Sequence, residues 1–396
     1  MTGQQDVVIV GGARTPIGVF GGGLKDVPPT QLAATVLGES VKRAGVAPDQ
    51  ISQVVFGNVI HTEARDMYLS RVAAIEGGLP ESACALTLNR LCGSGLQAIV
   101  TAASYIRLGE AEAVVGGGAE CMSRAPYWLP TARWGQRMGD GSIVDAMVGA
   151  LTDPFDRCHM GITAENVAEK WGVSRDEQDA LALESHKRAV AAIEAGRFAD
   201  QIVPVSIKSR KGEVVFDTDE GPRADVTAER LSAMRPVFKR EGGTVTAGNA
   251  SSINDGAAAV TMMSAAAAER SGIKPLAHLV GSSLAAVDPK YMGIGPVPAI
   301  SQLLDQTGIN ADDIDVWEIN EAFAAQALAV VKDLGLDPAR VNPNGSGVSL
   351  GHPIGATGAN LTVKAVAELQ RAGGRYAVIS MCIGGGQGIA ALIERA

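Results

Sequence analysis

Leu88-Asn89-Arg90-Leu91-Cys92-Gly93-Ser94-Gly95-Leu96-Gln97 is the stretch whose reading decides the fold. Upstream of it, Ala85-Leu86-Thr87-Leu88 alternates like a short strand. After Cys92 the apolar residues Leu96, Ile99, Val100, Ala103 and Ile106 recur at a helical period. Cys92 is therefore expected at a strand-to-helix junction, beside the first free N–H groups of a helix. That position is expected to lower the pKa of the thiol, because a helix N-terminus carries partial positive charge. Gly93 and Gly95 are expected to let the backbone turn sharply and a substrate approach closely. A lone cysteine before a helix can equally be a small buried hydrophobe, so its meaning depends on partners elsewhere in the chain.

The whole chain of 396 residues is long enough for two or three domains. Its 46% hydrophobic and 19% charged residues, with 48 glycines, describe an α/β protein rich in tight turns. A net charge of −9 argues against nucleic acid or an anionic membrane as partner, so any phosphate-bearing ligand needs a local basic patch. The five cysteines are odd in number and form no C-x-x-C pair, which points to reduced thiols rather than disulfides or a metal site. No apolar run approaches the roughly 18 residues of a membrane span. The start reads as entering a strand without a leader and the end as carrying no lipidation or peroxisomal address. A cytoplasmic location is expected.

Val7-Val8-Ile9-Val10 is a buried strand running into Gly11-Gly12-Ala13-Arg14-Thr15-Pro16. The glycines do not make a dinucleotide fingerprint, since G-x-G-x-x-G is absent and Pro16 falls where its helix would begin. A helix is predicted over 30–44, capped by Thr30 and stopped by Gly45, and a strand over 51–59. Ala113-Val114-Val115 is a further buried strand, ending in Gly116-Gly117-Gly118-Ala119-Glu120. From about residue 122 to 251 the strand–helix alternation stops. One or two helices are predicted over 165–195 and a hairpin over 203–217. Trp128, Trp134 and Trp171 are packing anchors or part of a subunit contact. Lys208, Arg210, Lys211, Arg223, Arg230, Arg235, Lys239 and Arg240 also gather in this region, as a solvated face or as a surface for a phosphorylated ligand.

Regular structure then returns with an earlier pattern. Gly45-Val46-x-x-Asp49-x-Ile51 recurs as Gly308-Ile309-x-x-Asp312-x-Ile314, each followed by an apolar strand. The strand–turn–helix around Cys92 has a counterpart over 341–369, with His352 in the place of Cys92. The strand at Ala113 is echoed from Ala377 to Gly386. Two related α/β halves with an insertion between them are expected, and such a duplication can bring Cys92 and His352 together across a pseudo-twofold axis. In the second half, Gly351-His352-Pro353 sets a histidine at a helix start. Asn320-Glu321-Ala322-Phe323 follows a buried strand, and Cys382 precedes Gly384-Gly385-Gly386. Each of these alone could be packing. Two cysteines, a histidine and an asparagine, all at strand ends beside glycine turns, are hard to explain together as packing.

The segments NRLCGSGLQA, GGGAECMSRAP, HMGITAENVA, GTVTAGNASSINDGAAA, NEAFAAQA, NGSGVSLGHPIGATG and CIGGGQGIA resemble, in order and along essentially the whole chain, the signatures of the thiolase family. The nearest likeness is to its bacterial acetyl-CoA acetyltransferase and β-ketothiolase type. The resemblance implies a five-layered αβαβα core of two duplicated halves with an inserted loop domain. It places the first half at 1–121 plus about 252–275, the loop domain covering coenzyme A at 122–251, and the second half at 276–396. It also implies an acyltransferase that joins two acyl-CoA molecules reversibly into a 3-ketoacyl-CoA and free CoA. In that scheme Cys92 is the nucleophile, His352 activates it, and Cys382 is a second acid/base. Asn320 (through a water) and His352 would stabilise an enolate oxygen, and the N–H groups of Cys92 and Gly384 an oxyanion. His159, Arg223, Phe238 and Ser251 would contact CoA. No cofactor beyond CoA as substrate and product, and no metal, is implied; a homo-oligomer, dimer or tetramer, is, with the 128–147 segment near the tetramer contact.

The chain departs from the usual pattern at Ser252, where glycine is usual, at Cys121, where serine is common, and at Cys158, where an aromatic residue often precedes the histidine. These put chain-length preference in question and leave the reaction intact. Ketoacyl synthases, a neighbouring family, lack the second cysteine in a C-I-G-G-G setting. The alternative from another class is a non-catalytic acyl-CoA-binding protein on the same fold, which would have no use for Cys92, Asn320, His352 and Cys382 together.

Overall fold

The structure, a computed structural model, describes residues 5–209 and 212–396. Its centre is a ten-stranded mixed sheet. The first half supplies β1 (Val7–Arg14), β2 (Ile51–Gly57), β3 (Cys84–Leu88), β4 (Ala113–Cys121) and β5 (Asn254–Ser264). The second supplies β6 (Ala277–Ala286), β7 (Ile314–Ile319), β8 (Tyr376–Ile383) and β9 (Gln387–Arg395). Across the sheet the order is β7-β8-β9-β6-β1-β5-β4-β2-β3, and the two-residue strand Gly18–Val19 pairs with β5. β3, β2 and β4 are parallel neighbours, as are β7 and β8, whereas β5 and β9 run against their neighbours. Within the sheet the two halves join where Val8 and Ile9 of β1 face His278 and Ala277 of β6.

The order reads outward from that junction in the same way on both sides, so β1 corresponds to β6, β5 to β9, β4 to β8 and β2 to β7. The counterpart of β3 is reduced to one parallel bridge, Trp317 to Val341. The repeated motif explains itself locally. Gly45 and Gly308 both end helices, α1 (Pro29–Ala44) and α5 (Pro296–Thr307), in left-handed conformation at φ 65° and 69°. A 3₁₀ turn follows each, and then β2 or β7.

Five layers result. Helices α2 (Ser94–Arg107) and α7 (Thr357–Ala372) pack on each other and on one face of both halves of the sheet, in a core holding Leu96, Ile99, Val114, Val260, Leu361 and Ile379. Outside the first half lies α1 over Val8, Val54 and Val115. Outside the second lie α5 and α6 (Ala324–Leu334) over Trp317, Val378 and Leu392. Because the sheet is covered on both faces, its strands read as continuous apolar runs.

Some sequence expectations need correction. The first helix starts at Pro29, its N-cap is Pro28, and the Thr30 hydroxyl is buried without a partner: proline at the first helical position outweighs the side-chain cap. β2 stops at Gly57 and not at residue 59. β4 does not end at its glycines but runs through them to Cys121. A Cβ on Gly116 would lie 2.7 Å from the Ile99 Cα, so this glycine lets α2 lie directly on the strand. The 165–195 region is two helices, α3 (Met160–Lys170) and α4 (Arg175–Glu194), and the hairpin spans Val205–Ser209 and Gly212–Phe216.

Residues 122–253 lie between the antiparallel neighbours β4 and β5. They are tied to the core by Arg14, fully buried, which donates to both Asp219 oxygens at 2.8 and 2.9 Å and to Gln201 at 3.2 Å. On the other side Ser185 of α4 donates to Glu321 at 2.6 Å. Arg210 and Lys211 lie outside the described residues. Arg223, Arg230, Arg235, Lys239 and Arg240 are exposed, with Arg230 paired to Asp225 and Lys239 to Glu169. No helix among the described residues is long and apolar enough to cross a membrane.

Candidate active site

The turn into α2 is not made by its glycines. Leu91 takes the left-handed conformation, φ 45°, while Gly93 sits at φ −84°. A non-glycine residue pays strain there, and the surrounding hydrogen bonds hold it. The Leu91 N–H donates to Asn89 Oδ1 at 2.8 Å, and Ser94 Oγ accepts from the Arg90 N–H and donates to the Leu91 carbonyl. Gly95 is needed for something else: a Cβ there would lie 2.8 Å from the Ala359 nitrogen of α7. The two helix starts therefore meet, and with them the two halves.

Across that contact Cys92, His352, Cys382 and Gly384 line one cavity of about 200 Å³. His159, Phe238 and Ser251 line it too, with Leu91, Met122, Met160, Met292, Phe323 and Ile354 among its apolar walls. The backbone N–H groups of Gly384 and of Cys92 itself reach the Cys92 sulfur. A Cβ on Gly384 would lie 2.8 Å from the Met160 Cε, the movable end of a flexible side chain, and Gly385 and Gly386 both turn at φ 84°.

The electrostatics differ from the sequence expectation at Cys92. Burial pushes its thiol up, the two N–H groups pull it down, and the nearby Glu120 pushes up again. In this setting desolvation outweighs the helix start, so the resting group is a thiol rather than a thiolate. Cys382, fully buried at the end of β8, is also pushed up, by burial and by Cys92. His352 is brought down by burial to about 4, so its imidazole is neutral.

The tautomer of His352 follows from its neighbours. Its Nδ1 is 2.6 Å from Thr357 Oγ1, whose single proton goes to the Pro353 carbonyl at 2.9 Å. Thr357 must then accept, so Nδ1 carries the hydrogen and Nε2 presents a lone pair; no protein partner takes Nε2 among the described residues. The His352 N–H donates to Asn254 Oδ1 at 2.9 Å.

Asn320 directly follows β7 but is not among the residues that line the cavity. It is fully buried, and neither amide atom has a hydrogen-bond partner among the described residues. Its neighbour Glu321 is held by Ser185 and by Asn342 at 2.9 Å. His159 caps α3 by accepting from the Gly161 N–H at 3.0 Å and stacks on Phe238 at 4.6 Å, and Phe238 meets Phe323 edge-on at 6.2 Å. Arg223 does not reach the cavity wall; its N–H donates to His186 Nδ1 at 3.2 Å. Of the three departures from the family pattern, only Ser252 lines the cavity. Cys121 points instead to the Leu24 carbonyl. Asn89, Ser94, Asn254 and Thr357 were missed in the sequence, where nothing marks a polar residue as a partner of a distant loop.

The family model described as "Thiolase, N-terminal domain" matches residues 7–266, and "Thiolase, C-terminal domain" matches residues 273–395. The chain belongs to the thiolase family. This thiolase is 64% identical over 391 residues to the beta-ketothiolase BktB of Cupriavidus necator, covering 99% of each chain. It is 49% identical over 395 residues to an acetyl-CoA acetyltransferase of Syntrophomonas wolfei, covering 98% of this chain and 99% of that one. Its fold is that of the Bacillus anthracis acetyl-CoA acetyltransferase crystal structure, at a TM-score of 0.98 and 50% identity over 100% of both chains. Human mitochondrial 3-ketoacyl-CoA thiolase in complex with CoA superposes at 0.95, with 44% identity over 99% of this chain and 98% of that one. The αβαβα core expected from the sequence is the fold found.

Proposed function

We propose that this thiolase is an acyltransferase that condenses two acyl-CoA molecules reversibly to a 3-ketoacyl-CoA and free CoA, with Cys92 carrying the acyl group as a thioester. The observation that carries the reading is the single cavity shared by two cysteines, a neutral histidine and the Gly384 N–H. A protein that only bound acyl-CoA would need none of these groups gathered in one cavity.

The protonation states suggest the order of steps. His352 Nε2 takes the Cys92 proton as the sulfur attacks the first thioester carbonyl, and the oxyanion is met by the N–H groups of Cys92 and Gly384. The leaving CoA thiolate takes its proton from Cys382. A thiol held up by burial is a poor base until it has lost that proton; afterwards its high proton affinity suits it to remove the α-proton of the second acyl-CoA. The resulting enolate, with its oxygen facing the His352 imidazolium and an Asn320-held water, attacks the acyl group. Cys92 leaves and recovers its proton from His352. The unpartnered Asn320 amide supports that assignment.

His159, Phe238 and Ser251 would hold the pantetheine arm in the apolar cavity, with Arg223 and its exposed basic neighbours at the phosphates, and residues 122–251 would form the loop domain over it. A homo-oligomer, dimer or tetramer, is supported by the exposed apolar stretch Tyr127, Trp128, Leu129, Trp134, Met138 and Ile143. Five free cysteines support a reducing, cytoplasmic setting.

The test is CoA-dependent loss of acetoacetyl-CoA absorbance by the purified protein, lost in Cys92→Ser. Tight CoA binding with no turnover would favour the binding-protein alternative.

A further inference from the structure

Glu120, at the end of β4, takes no part in the steps above, yet it is fully buried with no cation paired to it among the described residues. Four N–H groups converge on its carboxyl. Asn58 Nδ2 and the Ile60 N–H donate to Oε1 at 3.2 and 3.0 Å, and the Val59 and Gly355 N–H groups donate to Oε2 at 3.0 and 2.9 Å. Residues 58–60 continue from β2 in the half that carries Cys92. Gly355 lies three residues beyond His352, in the other half.

Nothing separates the two. A Cβ on Gly355 would lie 2.5 Å from Glu120 Oε2, and one on Gly118 would lie 2.1 Å from the Gly355 carbonyl. The histidine loop thus rests directly on β4, with Asn254 and Thr357 holding its other points. Burial pushes the Glu120 carboxyl up, to about 8. All four of its partners are donors, however, so a proton on either oxygen would displace one of them, and the hydrogen bonding favours the anion.

We propose that Glu120 is a positioning residue for His352: its carboxylate fastens the Gly355 end of the histidine loop to the half that carries Cys92, and its charge biases the proton balance between that thiol and the imidazole. The inference rests on His352 being the base for Cys92. A fixed anion near the pair opposes a thiolate and favours the imidazolium formed during acylation. The ionisable groups facing Cys92 are Glu120, Cys382 and His352; Asp66 and Cys92 face Glu120.

Glu120→Gln removes the charge and turns an NH₂ toward an N–H donor. Two readouts are expected to move. Acetylation of Cys92 by acetyl-CoA, followed by mass, slows by roughly 10–100-fold, as for lost partners that orient a functional group. The pH midpoint for alkylation of Cys92 by iodoacetamide moves down, because an anion that opposed the thiolate is gone. Gly355→Ala keeps the charge and displaces the loop, so it is expected to slow acetylation without lowering that midpoint, and it serves if the glutamine variant does not fold. Wild-type acetylation in the same experiment checks the underlying reading separately. Folded Glu120→Gln with wild-type acetylation, or with an unmoved alkylation midpoint, overturns the proposal, as does Gly355→Ala acetylating at the wild-type rate.

Discussion

At the scale of single residues, His352 shows how burial does chemical work. Lowered to about 4 from its ordinary 6.5, it is a neutral base across the physiological range. The same shift has a consequence for stability. In the unfolded chain this histidine takes up its proton near pH 6.5, whereas in the folded chain it does so only near 4. Between those values the unfolded state binds more protons, so stability falls as pH falls. The loss amounts to roughly 3 kcal/mol at about 1.4 kcal/mol per pH unit. His352→Asn cannot titrate, so the gap between its urea midpoint and that of wild type is expected to shift in favour of the variant from pH 7 to pH 4. A gap that stays constant over this range would mean the imidazole is not held neutral. The residue scale is also where sequence reading was least complete. Cys92, His352 and Cys382 do line one cavity, and that they could meet was legible from the repeated halves and from their places beside glycines at the ends of elements. The raised thiol of Cys92 was not, since desolvation depends on what packs around the sulfur. Leu91 was not legible either, because the bonds from Asn89 and Ser94 that hold its left-handed backbone are invisible in a pattern of apolar residues.

At the scale of elements, the site exists because α2 and α7 touch at their first turns. A Cβ on Gly358 would lie 2.3 Å from the Leu96 nitrogen, which is backbone and cannot rotate away. Leu96 follows Cys92 by four residues and Gly358 follows His352 by six, so a separation of the helices would move the thiol from the imidazole. Gly358→Ala is therefore expected to destabilise by about 1–3 kcal/mol and to slow Cys92 acetylation by on the order of 10²-fold. Urea unfolding and mass-detected acetylation check the two effects separately. Acetylation at the wild-type rate would show that the helix contact does not set the geometry. The helical period of α2 and the left-handed glycines after α1 and α5 were readable in the sequence. The purpose of Gly95, Gly116 and Gly118 was not, because glycine signals a turn and a close approach in the same letter.

At the scale of the whole molecule, the duplication was the most legible feature, since Gly45-to-Ile51 and Gly308-to-Ile314 fold into the same cap, 3₁₀ turn and strand. The fading of the second half's fifth strand to a single bridge at Val341 left no trace that a pattern could catch. What the duplication achieves is a meeting of groups: one half brings Cys92 to the cavity, and the other brings His352 and Cys382. In the proposed mechanism, acyl transfer would need only Cys92, His352 and the N–H groups on the oxyanion, whereas joining two carbons would also need Cys382. The direct measurement is Cys382→Ser incubated with acetyl-CoA and followed by mass and by acetoacetyl-CoA formation. The acetyl-enzyme is expected to form, while condensation falls by roughly 10²–10⁴-fold or more. Condensation near the wild-type rate would contradict the account, because the α-proton would then be leaving by way of His352 or a water.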